Sequence, residues 1–581
     1  MGIEVEENQD MVKEPLLKKN TSHPKGGFRT MPFIIANGML EKLACFGLMP
    51  NMTLYLMKQY RMEMASASNV LFYWTAATNF LPILGAILAD SYVGRYYMIG
   101  FGSAISFLGM ILLWSTTLIT QEATLPNDDS ITSYSKPTVL QLLILYTSFG
   151  LISIGGGGLR SSSLAFGVDQ LENGDDHQSI GLMERYFSWY YASFTGSLLV
   201  ALTFLVYIQE NLGWSFGFGV SAVLMFFATL SFFLGSPFYI KVKAKASFVM
   251  ETVQVIVASF RNRNLKLSSS GMDIVFHQKR GSELAFPSEN LRFLNKACII
   301  RDPQQDLTAD GTATKPWILC TVDQVEGFKV LIKVLPIWST GMLTFINISQ
   351  NSFSILQASS MNRKIVGNFE IPAGSLGITT VVSLIIWVAI YDQAIIPIAS
   401  RIKGKPVSLN TRERMGIGIF LSFLAMVVTA SVEFVRRRIA NDQGLSDDPQ
   451  GTVNMSALWL LPQYCLLGVA EAFNAIAQNE FYMSELPKSM SSIASNLCGV
   501  GISVASLLAS FLMSSIDDWT KRGGQESWIS SNINKGHYDY YFWVLSGLSI
   551  VNFLYFLICC WTYGPYRSEK EKHADEEALL Q

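Results

Sequence analysis

The sequence predicts an all-α integral membrane protein with twelve transmembrane helices in two six-helix bundles. Half of the 581 residues are hydrophobic and only 15% are charged, whereas soluble proteins carry about 25% charged residues. Apolar runs recur that are long enough to cross roughly 30 Å of hydrocarbon as helices. These runs fall into two groups of six, separated by a long polar segment. Together the three observations indicate a polytopic membrane protein built from two halves.

The apolar runs define the elements in chain order. The predicted spans are residues 31–57, 69–89, 96–119, 137–159, 187–208, 214–240, 327–356, 371–391, 413–434, 457–479, 491–516 and 540–563. The predicted domains are a tail (1–30), a first bundle (31–240), a linker (241–326), a second bundle (327–563) and a second tail (564–581). The linker includes the stretch "FVMETVQVIVASF", which predicts an amphipathic helix. Two six-helix repeats predict a substrate site between them.

Lys and Arg residues indicate the orientation. An even number of spans puts both tails on one side, and most basic residues fall there, including the short loop 401–414. Because positive charge marks the cytoplasmic side, we expect both termini and the linker to be cytoplasmic. The run "RRR" at 436–438 is the exception, since it falls on the opposite side. We expect a multi-pass protein of the plasma membrane, with the tonoplast as the alternative.

Several functional classes are excluded by what the chain lacks. The net charge of −2 gives no basis for nucleic-acid binding. The seven cysteines and five histidines have no paired metal-site spacing, so neither metal nor cofactor is predicted. The stretch "SIGGGGLRSSS" (153–163) lacks the lysine of a phosphate-binding loop and follows an apolar span. We find no nucleophile–base pair, so an enzyme is not expected.

Four charged residues lie within or at the end of predicted spans: Glu41 and Lys42 in the first, Arg160 at the fourth and Glu471 in the tenth. A charge at the bilayer centre costs about 2.5–3.5 kcal/mol, so such residues usually face a cavity or a partner. Glu41 is near the midplane, and adjacent helical residues point about 100° apart, so Glu41 and Lys42 cannot simply pair. We therefore expect these residues to line a functional cavity.

Two pairs are candidates for conformational gating. Arg160 and Glu471 lie on helices at matching places in the two halves. Their opposite charges predict a bridge that forms in one conformation and breaks in another; a permanent buried ion pair is the alternative. Asp90 and Arg95 occupy the tight loop after the second span, and we expect them to form a latch as the halves meet.

Several strings resemble a known family. The spacing of Gly85, Asp90, Gly94 and Arg95 resembles the loop signature of the major facilitator superfamily. The strings "MPFIIAN", "NFLPILGAILADSYVGRYY", "FGVDQ", "FEIPAGS", "WLLPQY" and "ELPKSMSS" resemble the plant nitrate transporter/peptide transporter family, which is kin to the proton-coupled oligopeptide transporters. The resemblance runs from about residue 31 to 563. It implies the major facilitator fold and secondary active transport, with proton coupling and alternating access between rocking bundles.

The resemblance assigns roles to the charged residues. The family's first-helix motif is Glu-x-x-Glu-Arg or Glu-x-x-Glu-Lys, but here Gly38 replaces the first Glu, before Glu41 and Lys42. Proton coupling would then rest on Glu41, Lys42 and Glu471. Arg160 matches the family's basic residue in the fourth helix. Because arginine keeps its proton, it is expected to be a fixed anchor for Glu471 or for an anionic substrate.

The substrate is the least determined feature. One nitrate-transporting branch of the family has a histidine in the seventh helix, where this chain has Ile348, with Gln350 nearby. The predicted substrate-binding positions are Arg160, Lys42, Gln350 and Ile348. The four central charges sum to zero, so one proton makes the site positive, which favours a small anion, nitrate first. The alternatives are a carboxylate hormone such as gibberellin or abscisic acid, and a sensor that no longer transports. The expected partners are that substrate, protons and the lipid bilayer.

Overall fold

The computed structural model describes residues 26–122, 137–171, 176–242, 248–265, 275–278, 286–308, 311–366, 369–404, 409–487 and 490–563. These residues include twelve helices long and apolar enough to span a membrane, which confirms the predicted fold class. Most of the predicted first tail (1–25) and all of the second (564–581) lie outside the described residues. We number the spanning helices α1–α12: Phe28–Gln59, Met64–Val93, Arg95–Ile119, Val139–Leu171, Arg185–Asn211, Trp214–Phe238, Val322–Ser359, Ala373–Lys403, Thr411–Asp442, Ala457–Glu485, Ile493–Thr520 and Tyr538–Tyr563.

Several helices extend beyond the predicted spans. The fourth span was expected to end at residue 159, but α4 continues through the glycine run to Leu171. Arg160 therefore lies inside a helix and not at its end. In α7, the regular helix stops at Ile348 and resumes at Asn351. The predicted position Ile348 thus sits at a break in a membrane helix, where backbone groups are free to face a cavity.

Three of the spanning helices contain a π-helical turn. These turns are Ala89–Val93 in α2, Ala201–Leu205 in α5 and Tyr391–Ile395 in α8. A π turn inserts one extra residue into the helical ladder and is frequent at functional positions. The turn in α2 carries Asp90, and the turn in α5 carries Leu202.

Each half of the chain packs around its own core. In the first half α4 packs between α2 and α3, and α1 packs on α6; in the second, α9 packs on α10 and α12. The halves meet chiefly where α2 packs along α11. There Met64, Ala65 and Phe72 of α2 join a buried cluster of side chains from the second half.

The segment between α6 and α7 contains a helix at Phe248–Arg261, which we call the linker helix. Its Val255 and Ala258 are fully buried against Leu294 and Cys298. Short helices follow at Arg292–Asn295 and Pro303–Asp306, with 3₁₀ turns such as Lys296–Cys298. We refer to the end of the molecule that carries this segment as the linker side, and to the opposite end as the far side.

The far side carries the short strands. β1 (Met361–Asn362) pairs in parallel with β4 (Val453–Ser456), and β2 (Lys364–Val366) pairs antiparallel with β3 (Phe369–Glu370). The β1–β4 pair ties the α7–α8 connection to the α9–α10 connection within the second half, whereas β2 and β3 pair within the α7–α8 connection. Strand pairing therefore orders these connections on the far side.

The exceptional "RRR" run is partly explained by burial. Because α9 extends to Asp442, Arg436 lies inside the helix and is fully buried. Its Nη2 donates to Oε1 of Glu433 at 2.7 Å, and its Nη1 donates to Oδ1 of Asn534 at 2.8 Å. One of the three arginines is thus internally neutralised. The orientation of the termini remains a prediction.

Polar contacts join the two bundles in the half of the molecule toward the far side. They pair Thr53 with Ser352, Asn69 with Ser514, Leu202 with Ser375, Glu63 with Lys521, and Glu210 with Arg363. A cavity of about 930 Å³ at the same end is lined by both bundles, including Glu63, Glu210 and Arg363. The contacts close the path between the bundles on the far side.

Candidate functional site

The glycine run of α4 brings that helix against two neighbours. A Cβ on Gly155 would lie 2.4 Å from the backbone nitrogen of Ser106 in α3, and one on Gly157 would lie 2.8 Å from Cβ of Leu81 in α2. Real Cβ atoms do not approach this closely, so only glycine fits at either position. Small residues allow membrane helices to pack backbone to backbone. This packing fixes the position of Arg160 a few residues further along α4.

Arg160 forms an ion pair with Glu41 of α1. Its Nε and Nη2 both donate to Oε1 of Glu41, at 3.1 and 3.0 Å. The thiol of Cys45 points at the same oxygen, 3.3 Å away. The Glu41 side chain is fully buried and that of Arg160 is 18% exposed. Charge-assisted bonds of this kind are among the stronger ones, so the pair holds α1 and α4 together.

The second oxygen of Glu41 is different from the first. Oε2 is buried and has no hydrogen-bond partner among the described residues. A buried carboxylate oxygen without a donor carries a desolvation cost, which a proton or a donor group would relieve. The geometry therefore leaves one protonatable oxygen beside Arg160.

Lys42 points away from this pair, as the 100° helical turn between neighbours requires. Its Nζ lies 5.7 Å from the ring centroid of Phe46 and 5.2 Å from that of Phe194. Cation–π contacts of this length stabilise an ammonium without neutralising it. Within the described ranges, Lys42 has no carboxylate partner, since Glu41 is bound to Arg160.

Gly38 occupies the place of the family's missing carboxylate. A Cβ there would lie 3.7 Å from Oγ of Ser163 and 3.9 Å from Cε2 of Tyr190, which is ordinary contact distance. The position lies one helical turn before Glu41 in α1. A Cβ atom at position 38 would therefore fit without displacing its neighbours.

The other predicted residues meet in the second half. Glu471 of α10 lines a cavity of about 210 Å³ with Ile348 and Gln350 of the α7 break. Leu202, from the π turn of α5, also lines it, so the cavity borders both bundles. Gln350 is already engaged, because its Nε2 donates to the carbonyl of Ile346 and its Oε1 accepts from Tyr541. Ile348 and Glu471 are thus the predicted residues whose side chains remain available there.

Arg160 and Glu471 are not paired in this conformation. Arg160 is bound to Glu41, and Glu471 has no ion-pair or hydrogen-bond partner in the part of the chain that the structure describes. The predicted exchange between the two acids requires a second conformation, so the gating role of this pair stays a prediction.

The contacts of Asp90 and Arg95 differ from the predicted latch between the two halves. Nε of Arg95 donates to Asp90 at 3.0 Å, and Nη1 donates to Asp169 of α4 at 2.8 Å. All three belong to the first half, so the contact ties α2, α3 and α4 together instead of crossing between halves. Sequence reasoning missed Asp169 because α4 was expected to end at residue 159, although the string "FGVDQ" contains it.

A second missed group is the buried pair of Glu433 and Arg436 described above. Glu433 falls within the predicted ninth span. Its charge inside an apolar run was the feature of the sequence that could have indicated a buried partner. Its Oε2 also accepts from Nε2 of Gln357 in α7 at 2.8 Å. The pair holds α7 and α9 together near the far side. No group of three or more metal-binding side chains occurs within the described ranges.

Comparison with known proteins agrees with this architecture. Residues 96–529 match the POT family. The chain is 50% identical to Protein NRT1/PTR FAMILY 1.2 of Arabidopsis thaliana, over 93% of this chain and 90% of that protein. It is 49% identical to Protein NRT1/PTR FAMILY 1.1 of the same plant, over 96% of this chain and 95% of that protein.

Among solved structures, the fold is similar to that of the POT family transporter PepTSo. The TM-score is 0.67 and the sequence identity 18%, over 92% of this chain and 98% of that chain. This likeness agrees with the fold, and the twelve apolar helices make the chain a multi-pass membrane protein. The family and fold are those of membrane transporters and not of enzymes. The chain belongs to the POT family, the proton-coupled transporters that include the plant NRT1/PTR proteins.

Proposed function

We propose that this protein moves a small anion, with nitrate favoured, together with protons by alternating access between its two bundles. The observation that carries the proposal is Lys42, whose ammonium rests on two aromatic rings and has no carboxylate partner within the described residues. Arg160 is neutralised by Glu41. Lys42 is therefore the basic group that remains to attract an anion.

The unpaired Glu471 supplies the coupling in this proposal. Its carboxylate lines the cavity beside Ile348 and lacks a described cationic partner. When Glu471 is ionised, its charge opposes an entering anion; when it takes up a proton, that opposition is removed. Anion entry and proton uptake then favour each other, which is the reciprocal linkage that cotransport requires. Glu41 contributes its free Oε2 as a second protonatable oxygen.

Alternating access requires Arg160 to change partner. In the present conformation the bundles are joined on the far side, and Arg160 binds Glu41. We propose that the opposite conformation brings Glu471 to Arg160, so that each acid is released for protonation in turn. Cytoplasmic termini and a plasma-membrane location complete the proposal and rest on the distribution of basic residues.

The cavity beside Glu471, which Lys42 does not line, favours by its size a small ion over a hormone. Its volume is about 210 Å³, whereas pockets for drug-sized ligands measure about 300–1,000 Å³. Nitrate needs few polar groups and fits such a space. A gibberellin-type or abscisic-type carboxylate would need a larger space when bound.

Gly38 favours a second candidate function, a sensor that binds substrate without coupled transport. One carboxylate of the family's motif is absent, although a Cβ atom at Gly38 would make only ordinary contacts. A substrate-induced inward current in oocytes separates the two functions. A carrier that moves two or more protons with each nitrate gives an inward current that grows as external pH falls, and a sensor gives none.

Replacement of Lys42 tests the anion site. A charge-assisted hydrogen bond contributes about 1.5–3 kcal/mol, so Lys42→Gln should raise the KM for nitrate uptake by tenfold or more. Lys42→Arg keeps the charge and the contact with the rings, and should retain most of the affinity. Nitrate uptake by oocytes at acidic and neutral pH is the measurement. An unchanged KM in Lys42→Gln, or no nitrate uptake by the wild type, would overturn the proposal.

A further inference from the structure

A third cavity lies outside the proposed transport path, between the linker helix and the start of α7. It measures about 440 Å³. Its walls come from Ile256 and Phe260 of the linker helix, from Phe293, and from Phe328 and Ile332 of α7. None of these residues belongs to the site that binds substrate in the proposed function.

The linker helix has two apolar faces. Val255 and Ala258 are buried against the rest of the linker, while Ile256 and Phe260 are 48% and 67% exposed. Phe293, from a neighbouring short helix, is 58% exposed. A surface helix that faced water would carry polar residues on its outer face. The outer face of this helix is instead built to contact an apolar environment.

We place the cavity at the depth of the membrane–water interface. Nζ of Lys333 in α7 and the guanidinium of Arg412 in α9 both lie 4.5 Å from the ring of Tyr563, the last residue of α12. Aromatic rings together with basic residues at the ends of spans mark the level of the lipid headgroups. Ile332 directly precedes Lys333, so the apolar wall of the cavity begins where the hydrocarbon begins.

The rim of the cavity is basic. The guanidinium of Arg263 lies 4.6 Å from the ring of Phe260. Nζ of Lys296 donates to the backbone carbonyl of Arg263 at 2.6 Å, and both residues line the cavity. On the flanking segments, the acids Glu289 and Glu326 are paired with Arg292 and Lys329. The positive charge of Arg263 and Lys296 is thus left facing the rim.

We propose that this cavity binds an anionic phospholipid of the leaflet on the linker side. The acyl chain occupies the space between Phe260, Phe293 and Ile332, and the headgroup phosphate and carboxylate contact Arg263 and Lys296. Basic pockets beside membrane helices recognise acidic headgroups in this way. The lipid joins the linker to the second bundle at α7.

A photoreactive lipid tests the site directly. The full-length protein is placed in nanodiscs of phosphatidylcholine that contain phosphatidylserine with a diazirine in its acyl chain. After irradiation, labelled peptides are mapped by mass spectrometry and normalised to the lipid-facing Ile558 of α12, which is 60% exposed. We expect labelling at residues 256–263 and 293–296, several-fold stronger than with the matching phosphatidylcholine probe.

Two variants separate the headgroup contact from general exposure. Arg263→Gln removes the cation at the rim and should lower the labelling by the serine lipid several-fold. Arg261→Gln is the matched control, because Arg261 is the last residue of the linker helix and does not line the cavity. This variant should leave labelling unchanged. The proposal is overturned if the two probes label residues 256–263 equally, if Arg263→Gln labels like the wild type, or if labelling there is no stronger than around the exposed Val275.

Discussion

The two halves of the molecule treat their membrane-buried acids in opposite ways. In the first half, Glu41 is fully buried and held by Arg160, with both donors on one oxygen. In the second half, Glu471 borders a cavity and has no described partner. A carboxylate locked to an arginine resists protonation, whereas one facing a cavity is free to exchange a proton. We therefore propose that Glu471 is the more readily switched acid in this conformation.

The ends of the helices on the linker side are, by contrast, alike in the two halves. Arg95 at the start of α3 binds Asp169 near the end of α4 at 2.8 Å. Arg414 near the start of α9 binds Glu480 near the end of α10. Corresponding helices therefore carry corresponding ion pairs at their ends. The repeat keeps its structural contacts at the periphery and differs at its centre.

The largest effect is expected from Glu41. Glu41→Gln leaves Arg160 buried without a charge partner, which costs about 3 kcal/mol or more. We expect a lower melting temperature of the purified protein and loss of uptake. The double variant Glu41→Gln with Arg160→Gln removes both charges and should recover the stability but not the transport. A single variant as stable as the wild type would show that the pair is not the structural element of the first half.

The next effect concerns Gly38. Gly38→Glu restores a carboxylate one turn from Glu41, at a position where a Cβ would make only ordinary contacts with Ser163 and Tyr190. A second protonatable group in the first half should make uptake rise more steeply as external pH falls. The measurement is the pH profile of nitrate uptake, with Gly38→Gln as an isosteric control that cannot titrate. The same pH profile in the Glu and Gln variants would argue against weakened coupling.

The smallest effect is expected at the far-side closure. Arg363 and Glu210 pair across the bundles, with side chains 19% and 29% exposed, and partly exposed pairs contribute about 1 kcal/mol or less. Arg363→Gln should therefore open the far side only a few-fold more often. Lys364→Gln is the control, because Lys364 lies 3.9 Å from Glu370 within its own half.

The opening can be followed by thiol labelling from the far side. A cysteine at Asn351 reports access to the cavity beside Glu471, which Asn351 lines. In the linker, burial raises the pKa of the Cys298 and Cys320 thiols to about 12, so their background reaction is slow. A membrane-impermeant reagent should label Asn351→Cys faster in the Arg363→Gln background. Equal labelling rates with and without Arg363→Gln would show that the pair of Arg363 and Glu210 does not hold the far side closed.

The sequence was sufficient to locate the charged residues but not to pair them. Glu41, Lys42, Arg160 and Glu471 stood out because charge inside an apolar span is costly. The partner of Arg160 depends on how closely α4 approaches α1 and its other neighbours, which the backbone contacts at Gly155 and Gly157 determine. Such contacts are non-local, so no pattern along a single helix predicts them.

Helix length accounts for the other differences. The apolar pattern marks only the lipid-facing part of a helix, and α4 and α9 both continue beyond it to Leu171 and Asp442. The added turns carry Asp169, which pairs with Arg95 of α3, and Arg436, which pairs with Glu433 of its own helix and with Asn534 of the α11–α12 connection. Hydropathy predicts where a span crosses the bilayer, but polar partners decide where the helix ends.

The most direct test of the account compares two modes of nitrate transport in proteoliposomes that contain Glu471→Gln. If Glu471 is the switchable acid, the variant should lose nitrate accumulation driven by a proton gradient, because the side chain can no longer exchange a proton. It should retain nitrate counterflow, which needs substrate binding and alternating access but no net proton movement. Gradient-driven accumulation equal to that of the wild type would contradict the account.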